Sequence, residues 1–380
     1  MDETIRKIAV SYASEVQDEE ESLLKELGKI PAPSHQEDKR AAFVRDWMLA
    51  HGAADVTIDE AKNVICRVNC TADNPLTVFA AHTDVVFPDT EPLPMHQEGR
   101  RLFAPGIGDD TSNLCNLLMT LKYVLEHRLT SETGMLFVAN ACEEGLGNLD
   151  GTKALFAAYG RRIRNFYSFD GYLGQCTSVA VGSNRYRVSV HVRGGHSYLD
   201  FGRANAIEIM SRIIGQLYQV KPPTEEVTTY NVGRIEGGST VNSIAEDCSM
   251  LFEFRSSSQK CLREMETIFN RIIAENKGDD RELKVEILGI RPGTGEFPEQ
   301  VLETYTQKTA ETIAAFYHGK MDLGPYSTDA NIPLSQGIPG NTIGTVAGKL
   351  AHTREEWVDL DSLQTGLQIA MGLVLSHMNA

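Results

Sequence analysis

His82-Thr83-Asp84 closes a run of apolar and β-branched residues, Leu76 to Ala81. Such a run reads as a buried strand of a sheet covered on both faces. Polar groups have no use in that core, so the His-x-Asp triplet marks where the strand leaves it. In open α/β sheets, ligands gather beyond the carboxyl ends of the strands. A neutral imidazole is the commonest metal ligand, and a carboxylate two residues on can hold its second nitrogen and fix the tautomer. Alone, the triplet reads more readily as a capped strand end than as a site. The pattern returns four times, however: at Asp109 after Gly106-Ile107-Gly108, at Glu143-Glu144 after 134–142, at Asp170 after 165–169, and at His352 beyond 341–346.

Two imidazoles and three carboxylates form the donor set for a pair of zinc-like ions with one carboxylate bridging. Paired ions roughly 3.5–4 Å apart polarise a carbonyl and lower the pKa of a bridging water. Such a site also needs a base that is not a ligand. Neighbouring residues of an extended chain point to opposite sides, so one of Glu143 and Glu144 binds metal while the other faces the water. Each residue by itself has an ordinary explanation as a cap, a helix-start acid or a surface histidine. Their shared position after apolar strands or a Gly turn argues for a site. The glycines before Asp109 suggest a phosphate cradle, but their spacing fits neither nucleotide fingerprint and no Lys follows.

The elements that position these residues alternate. An amphipathic helix over 3–28 carries an acidic face (Asp18 to Glu21), and a second helix runs from the Pro31-Ala32-Pro33-Ser34 break to His51-Gly52. Short strands at 55–59 and 63–69 precede the one at 76–81. A long loop covers 87–106, then a helix runs from Thr111 to His127. Strand, helix and strand follow, which is the rhythm of a doubly wound α/β domain. Residues 184–290 change to β-α-β-β-α-β, a ferredoxin-like split unit compact enough to be an inserted lid. The α/β style resumes with a helix at 298–317, a strand at 341–346 and a terminal helix at 360–377. We therefore expect a catalytic domain from 1–182 and 292–380, with a lid and dimerisation domain at 183–291. Ser327-Thr328-Asp329-Ala330-Asn331 reads as a helix-entry cap without a chemical role.

With 380 residues the chain can bury a large core without staples. Its 36 basic and 52 acidic side chains give a formal charge of −16, which argues against nucleic acid or an anionic membrane as partner. Seven cysteines form an odd set without framework spacing, as expected of thiols in a reducing cytoplasm. The polar first helix carries no apolar signal core. No stretch approaches the roughly twenty apolar residues of a membrane span. A soluble cytoplasmic protein is the expectation.

His82-Thr83-Asp84, Gly-x-Gly-Asp109-Asp110, Glu143-Glu144-Gly145, Phe169-Asp170-Gly171, Gly195-His196-Ser197 and Gly348 followed by His352 occur in one order. With them the chain resembles the co-catalytic zinc exopeptidases and amidohydrolases, which include peptidase T, carboxypeptidase G, the aminoacylases and succinyl-diaminopimelate desuccinylase. The resemblance covers nearly the whole chain. It implies two zinc ions, with cobalt or manganese as substitutes, bridged by Asp109. His82 and Asp170 would complete one metal site, Glu144 and His352 the other. Glu143 would be the base that takes a proton from the metal-bridging water and passes it to the leaving amine, and Asp84 would support His82. His196 resembles a lid histidine that stabilises the oxyanion, often in the partner subunit's site, which implies a homodimer. Asn242, at the end of Gly237 to Val241, and Arg255 resemble the segment that holds the substrate carboxylate; Arg203 is a weaker candidate for the same task.

Two departures bear on substrate. Many relatives carry a Lys shortly after the bridging aspartate, where this chain reads Asp110-Thr111-Ser112-Asn113. Asp170 matches peptidase T and the dipeptidase-like members, whereas deacylases and carboxypeptidases more often have Glu. The expected activity is therefore a metal-dependent exopeptidase on di- and tripeptides, nearest to the peptidase T type. An N-acyl-amino-acid deacylase is the alternative with the same metals and base. A non-catalytic metal-binding protein of the same fold would require a broken ligand or base, and none is broken.

Overall fold

The structure is a computed structural model and describes residues 1–145, 147–298 and 300–379. It divides into two compact units, Met1–Val179 with Glu296–Ala380, and Ala180–Gly295. In chain order the first stretch gives helices α1 (Glu3–Glu15), α2 (Gln17–Leu27) and α3 (Asp38–Ala50), then strands β1 (Val56–Ile58), β2 (Val64–Val68), β3 (Leu76–His82), β4 (His96–Glu98) and β5 (Arg101–Phe103). Helix α4 (Ser112–Glu126), β6 (Gly134–Asn140), α5 (Asp150–Tyr159), β7 (Ile163–Leu173) and β8 (Cys176–Thr177) follow. The second unit holds β9 (Gly182–Val192), β10 (Gly195–His196), α6 (Ala206–Leu217), β11 (Thr228–Gly237), β12 (Ser243–Ile244), β13 (Asp247–Ser256), α7 (Gln259–Glu275) and β14 (Arg281–Arg291). The chain then returns with α8 (Val301–Ala314), α9 (Asn331–Ser335), β15 (Gly340–Gly344), β16 (Gly348–Lys349), β17 (Trp357–Asp359) and α10 (Ser362–Leu375).

The main sheet of the first unit runs β1-β2-β6-β3-β7-β15-β8. Its centre, β6-β3-β7-β15, is parallel, while β2 and β8 run antiparallel at its flanks. All seven residues of β3 are buried, because helices cover both faces. Phe79 and Ala81 face the large core shared with α1 to α4 and α10. Val78 and Ala80 face the smaller core with Leu155, Phe156 and Ile332 from α5 and α9. Alternation of side chains along a strand thus explains an apolar run with no polar face.

In the second unit, β11-β13-β9-β14 form an antiparallel sheet. Tyr186, Val188, Val190 and Val192 of β9 point into a core with Ile209 and Ile213 of α6 and Phe269 of α7. The intervening Arg187 and His191 are exposed. The β-α-β-β-α-β order with these neighbours is the ferredoxin-like arrangement. Among the described residues, no helix is long and apolar enough to cross a membrane.

Three local expectations change. The helix over 3–28 is two helices that break at Val16 (φ −100°, ψ 8°). The acids at Asp18, Glu19 and Glu20 then fall in the first turn of α2, where the helix dipole favours them. The stretch 87–106 is not all loop, since β4 and β5 pair as a hairpin around Gly99 at φ +60° and join β17 and β16 in a four-stranded sheet. A Gly-x pair between short strands is a hairpin signal, hidden here by strands of three residues. Third, at the entry to α9 (Asn331–Ser335) Thr328 Oγ1 accepts from the Ala330 N–H and Asn331 Oδ1 from the Thr328 N–H, as a cap should, but Asp329 takes no part in it. Asp329 is fully buried instead, accepting hydrogen bonds from Asn140 Nδ2 and Thr152 Oγ1.

Not all of the acidic face is solvated. Glu20 is fully buried, and neither carboxyl oxygen has a hydrogen-bond partner among the described residues. Burial, and then the nearby Glu21, raise its pKa well above the ordinary value. The unfolded chain releases this proton in the usual carboxyl range while the folded chain keeps it to higher pH. Stability therefore falls as pH rises from about 4.5 upward. Glu20→Met is expected to gain about 1–3 kcal/mol at pH 8, the cost of an unsatisfied buried group, and to flatten the fall. Urea unfolding at pH 5 and pH 8 measures it; equal pH slopes in both proteins would refute the assignment.

Candidate metal centre

The parallel strands deliver their ends to one edge. His82, last in β3, lies in register with Asn140, last in β6. Its Nδ1 is 3.1 Å from the carbonyl oxygen of Asp84 and 3.4 Å from Asp84 Oδ1. The carbonyl can only accept, so the proton belongs on Nδ1 and the Nε2 lone pair is left for a ligand. That Nε2 is 3.1 Å from Asp109 Oδ1.

Asp84 also shapes the end of the neighbouring strand. Its Oδ1 accepts from the Glu143 N–H at 2.9 Å, and its Oδ2 from the Glu144 N–H at 3.0 Å and from Ser34 Oγ at 2.6 Å. One carboxylate thereby sets both the tautomer of His82 and the backbone on which Glu143 and Glu144 sit. Burial opposes its ionisation, but His82, Ser34 and the Glu143 N–H prevail and its pKa is lowered. Above it, the fully buried Arg40 donates to the carbonyls of Thr83, Leu27 and Ile30 and to Thr111 Oγ1.

Asp109 lies in the wide turn 107–111 that precedes α4, and its peptide bond to Asp110 is cis. While Oδ1 faces His82, Oδ2 is 3.1 Å from His352 Nε2. His352 Nε2 is also 3.4 Å from Glu144 Oε2. Two groups result, His82-Asp109-Asp170 and Asp109-Glu144-His352, in each of which the ligand-type atoms lie within 4.8 Å of one another. They share Asp109. The structure thus brings together five positions: the last residue of β3, the turn 107–111, the segment just after β6, the interior of β7 and the turn after β16.

Charge here is unbalanced in a way that a cation would correct. Burial, and then Asp109, push Asp170 up to about 7 and also raise Glu144. His352 is lifted to about 11 by its contacts with Asp109 and Glu144. Burial pulls the His82 imidazole down, but Asp110, Asp109, Asp84 and Glu143 together hold its pKa well above the ordinary value. Glu144 Oε1 is buried without a hydrogen-bond partner among the described residues. Crowded carboxylates, an orphaned oxygen and imidazole nitrogens drawn to them suit divalent ions with N and O ligands. Glu143, buried at 5% exposure, belongs to neither ligand group.

Sequence reasoning passed over several positions. Glu356 accepts from the N–H groups of Gly106, Gly108 and Asp109. Asn113 donates to the carbonyls of Gly108 and Gly171 and accepts from the Thr345 N–H. Asp329 contributes to the raised pKa of Asp170. Glu356, the second of two adjacent acids after His352, gives no local signal; its partner Asp109 lies 247 positions away.

His196, Arg203, Asn242 and Arg255 lie in the second unit. His196 is exposed, and its Nδ1 accepts from the N–H groups of Tyr198 and Leu199 at 3.2 and 3.4 Å, which places the proton of the neutral ring on Nε2. The Ser197 N–H donates to the carbonyl of Asn242. Arg255 is paired with Glu253, and Arg203 with Asp200.

The model of Peptidase family M20/M25/M40 matches residues 78–376. The uncharacterized protein YqjE of Bacillus subtilis (strain 168) is 25% identical over 337 residues, covering 84% of this chain and 86% of its own length. A tripeptidase from Staphylococcus aureus has a crystal structure similar at TM-score 0.74 and 21% identity, covering 94% of this chain and 97% of that one. The YXEP protein of Bacillus subtilis, a dinuclear metal binding peptidase from the M20 family, is similar at TM-score 0.63 and 15% identity, covering 96% and 99%. At these identities the two structures establish likeness of fold.

Proposed function

Because the chain belongs to peptidase family M20/M25/M40, and so is a metallohydrolase of peptide or amide C–N bonds, we propose that it removes residues from di- and tripeptides. The reading rests above all on one observation: Asp109 reaches two ligand groups at once, His82 with Asp170 and Glu144 with His352. We assign those five residues to two zinc ions, with cobalt or manganese as substitutes. When bound, such a pair supplies polarisation of the scissile carbonyl and acidification of a water.

The chain's own groups supply the rest. Glu143 takes the proton from the attacking water and delivers it to the leaving nitrogen as the C–N bond breaks, so that amine and carboxylate products balance. Asp84 fixes the backbone of Glu143 and the tautomer of His82. His196 is proposed as donor to the oxyanion, a role that suits an Nε2–H. Asn242 and Arg255, with Arg203 beside them, are proposed to bind the substrate carboxylate. A homodimer joined through the second unit and a cytoplasmic location complete the proposal; seven free cysteines are in keeping with a reducing compartment.

A hydrolysis panel on the zinc-loaded protein tests the substrate class, setting di- and tripeptides against N-acetyl and N-succinyl amino acids. We expect free peptides to be preferred by at least about tenfold in kcat/KM, a difference of roughly 1.4 kcal/mol. Preference for the acylated compounds would replace the exopeptidase with a deacylase.

A further inference from the structure

We propose that Glu356 is a positioning residue that sets the geometry of the shared ligand Asp109; this rests on the di-metal reading above. Its carboxylate is fully buried. Oε2 accepts from the Gly106 N–H at 2.7 Å, and Oε1 from the N–H groups of Gly108 and Asp109 at 2.9 and 2.8 Å. Three backbone donors thus converge on one side chain and fix the turn that carries Asp109. Tyr172 Oη donates to the same Oε1 at 3.4 Å, and Tyr172 stands two residues after Asp170 on β7. Glu356 itself follows His352 by four residues, just before β17.

One carboxylate therefore ties together the segments of Asp109, Asp170 and His352. Asp84 does the corresponding work for His82, Glu143 and Glu144. The fit is close: a Cβ on Gly108 would lie 2.9 Å from Glu356 Oε1 and 2.9 Å from Tyr172 Cε1. Glu356 falls in neither ligand group, so its effect passes through the residues it holds. Groups that orient metal ligands typically carry 10–100-fold in metal affinity. The substitutions separate by chemistry. Glu356→Gln keeps Oε1 for Gly108 and Asp109 but turns a donor toward the Gly106 N–H. Glu356→Ala removes every acceptor and leaves three buried N–H groups unsatisfied.

Competition with a chromophoric chelator, using zinc alone, reads the dissociation constants in the wild type, both variants and Thr309→Val. That last substitution removes a buried hydroxyl that donates to Asn341 Oδ1 away from the metal centre and serves as a control for loss of stability. We expect zinc affinity to fall about 10–100-fold in Glu356→Ala, less in Glu356→Gln, and not at all in Thr309→Val. Excess zinc should restore much of kcat in Glu356→Gln. Unchanged zinc affinity in a folded Glu356→Ala overturns the positioning role and leaves the peptidase reading standing. Equal weakening in Thr309→Val also overturns it, by showing a general effect of stability. A wild type that binds two zinc ions but cleaves no peptide overturns the peptidase reading alone, and one that binds no zinc overturns both.

Discussion

Glu143→Gln is expected to lower kcat on a short peptide by about 10²–10⁴-fold, the usual contribution of a positioned acid–base group, while two zinc ions stay bound. Glutamine keeps the volume of the side chain and the N–H that Asp84 holds, but cannot accept the proton of the attacking water. Because Glu143 belongs to neither ligand group, metal content should not change. Steady-state kinetics with metal analysis on the same sample separate the two effects. Turnover that persists in the variant would remove Glu143 from the role of base. Loss of one metal equivalent would make it a ligand.

Asp109→Asn is expected to be still more damaging, because Asp109 is common to both groups. Its carboxylate faces His82 with one oxygen and His352 with the other. An amide in its place presents one oxygen and one donor, so one of the two imidazole contacts loses its anionic partner. We expect the bound zinc to fall from two equivalents to one or fewer and activity to drop by more than about 10³-fold, since neither carbonyl polarisation nor water activation then has its full charge. Inductively coupled plasma analysis after gel filtration measures the first, and a peptide assay the second. Two tightly held equivalents in Asp109→Asn would contradict a bridging role.

Much of the first unit was legible because β3, β6 and the middle of β7, residues 166–170, are buried on both faces. A strand with no polar side reads as a continuous apolar run, and the first polar residue after it stands out. This is how His82, Glu143 with Glu144 and Asp170 became visible. The second unit was legible for the opposite reason, since β9 shows one face to helices and one to solvent and so alternates. What escaped notice depends on distant partners. Arg40 and Glu356 look like ordinary charged residues in the sequence, and only folding brings their backbone and side-chain partners to them. Glu20 escaped because one buried acid inside an acidic run looks like its solvated neighbours. The β4–β5 hairpin escaped because its three-residue strands carry mostly charged and polar side chains. The motif at 327–331 reads correctly only in part: Thr328 does accept an N–H at the helix entry, yet Asp329 turns inward to Asn140 and Thr152.

Anomalous diffraction from crystals of the zinc-loaded protein tests the shared-aspartate arrangement most directly. Two peaks are expected about 3.5–4 Å apart, one beside His82 and Asp170, the other beside Glu144 and His352, with Asp109 touching both. A single ion, or two ions that do not share Asp109, would contradict it.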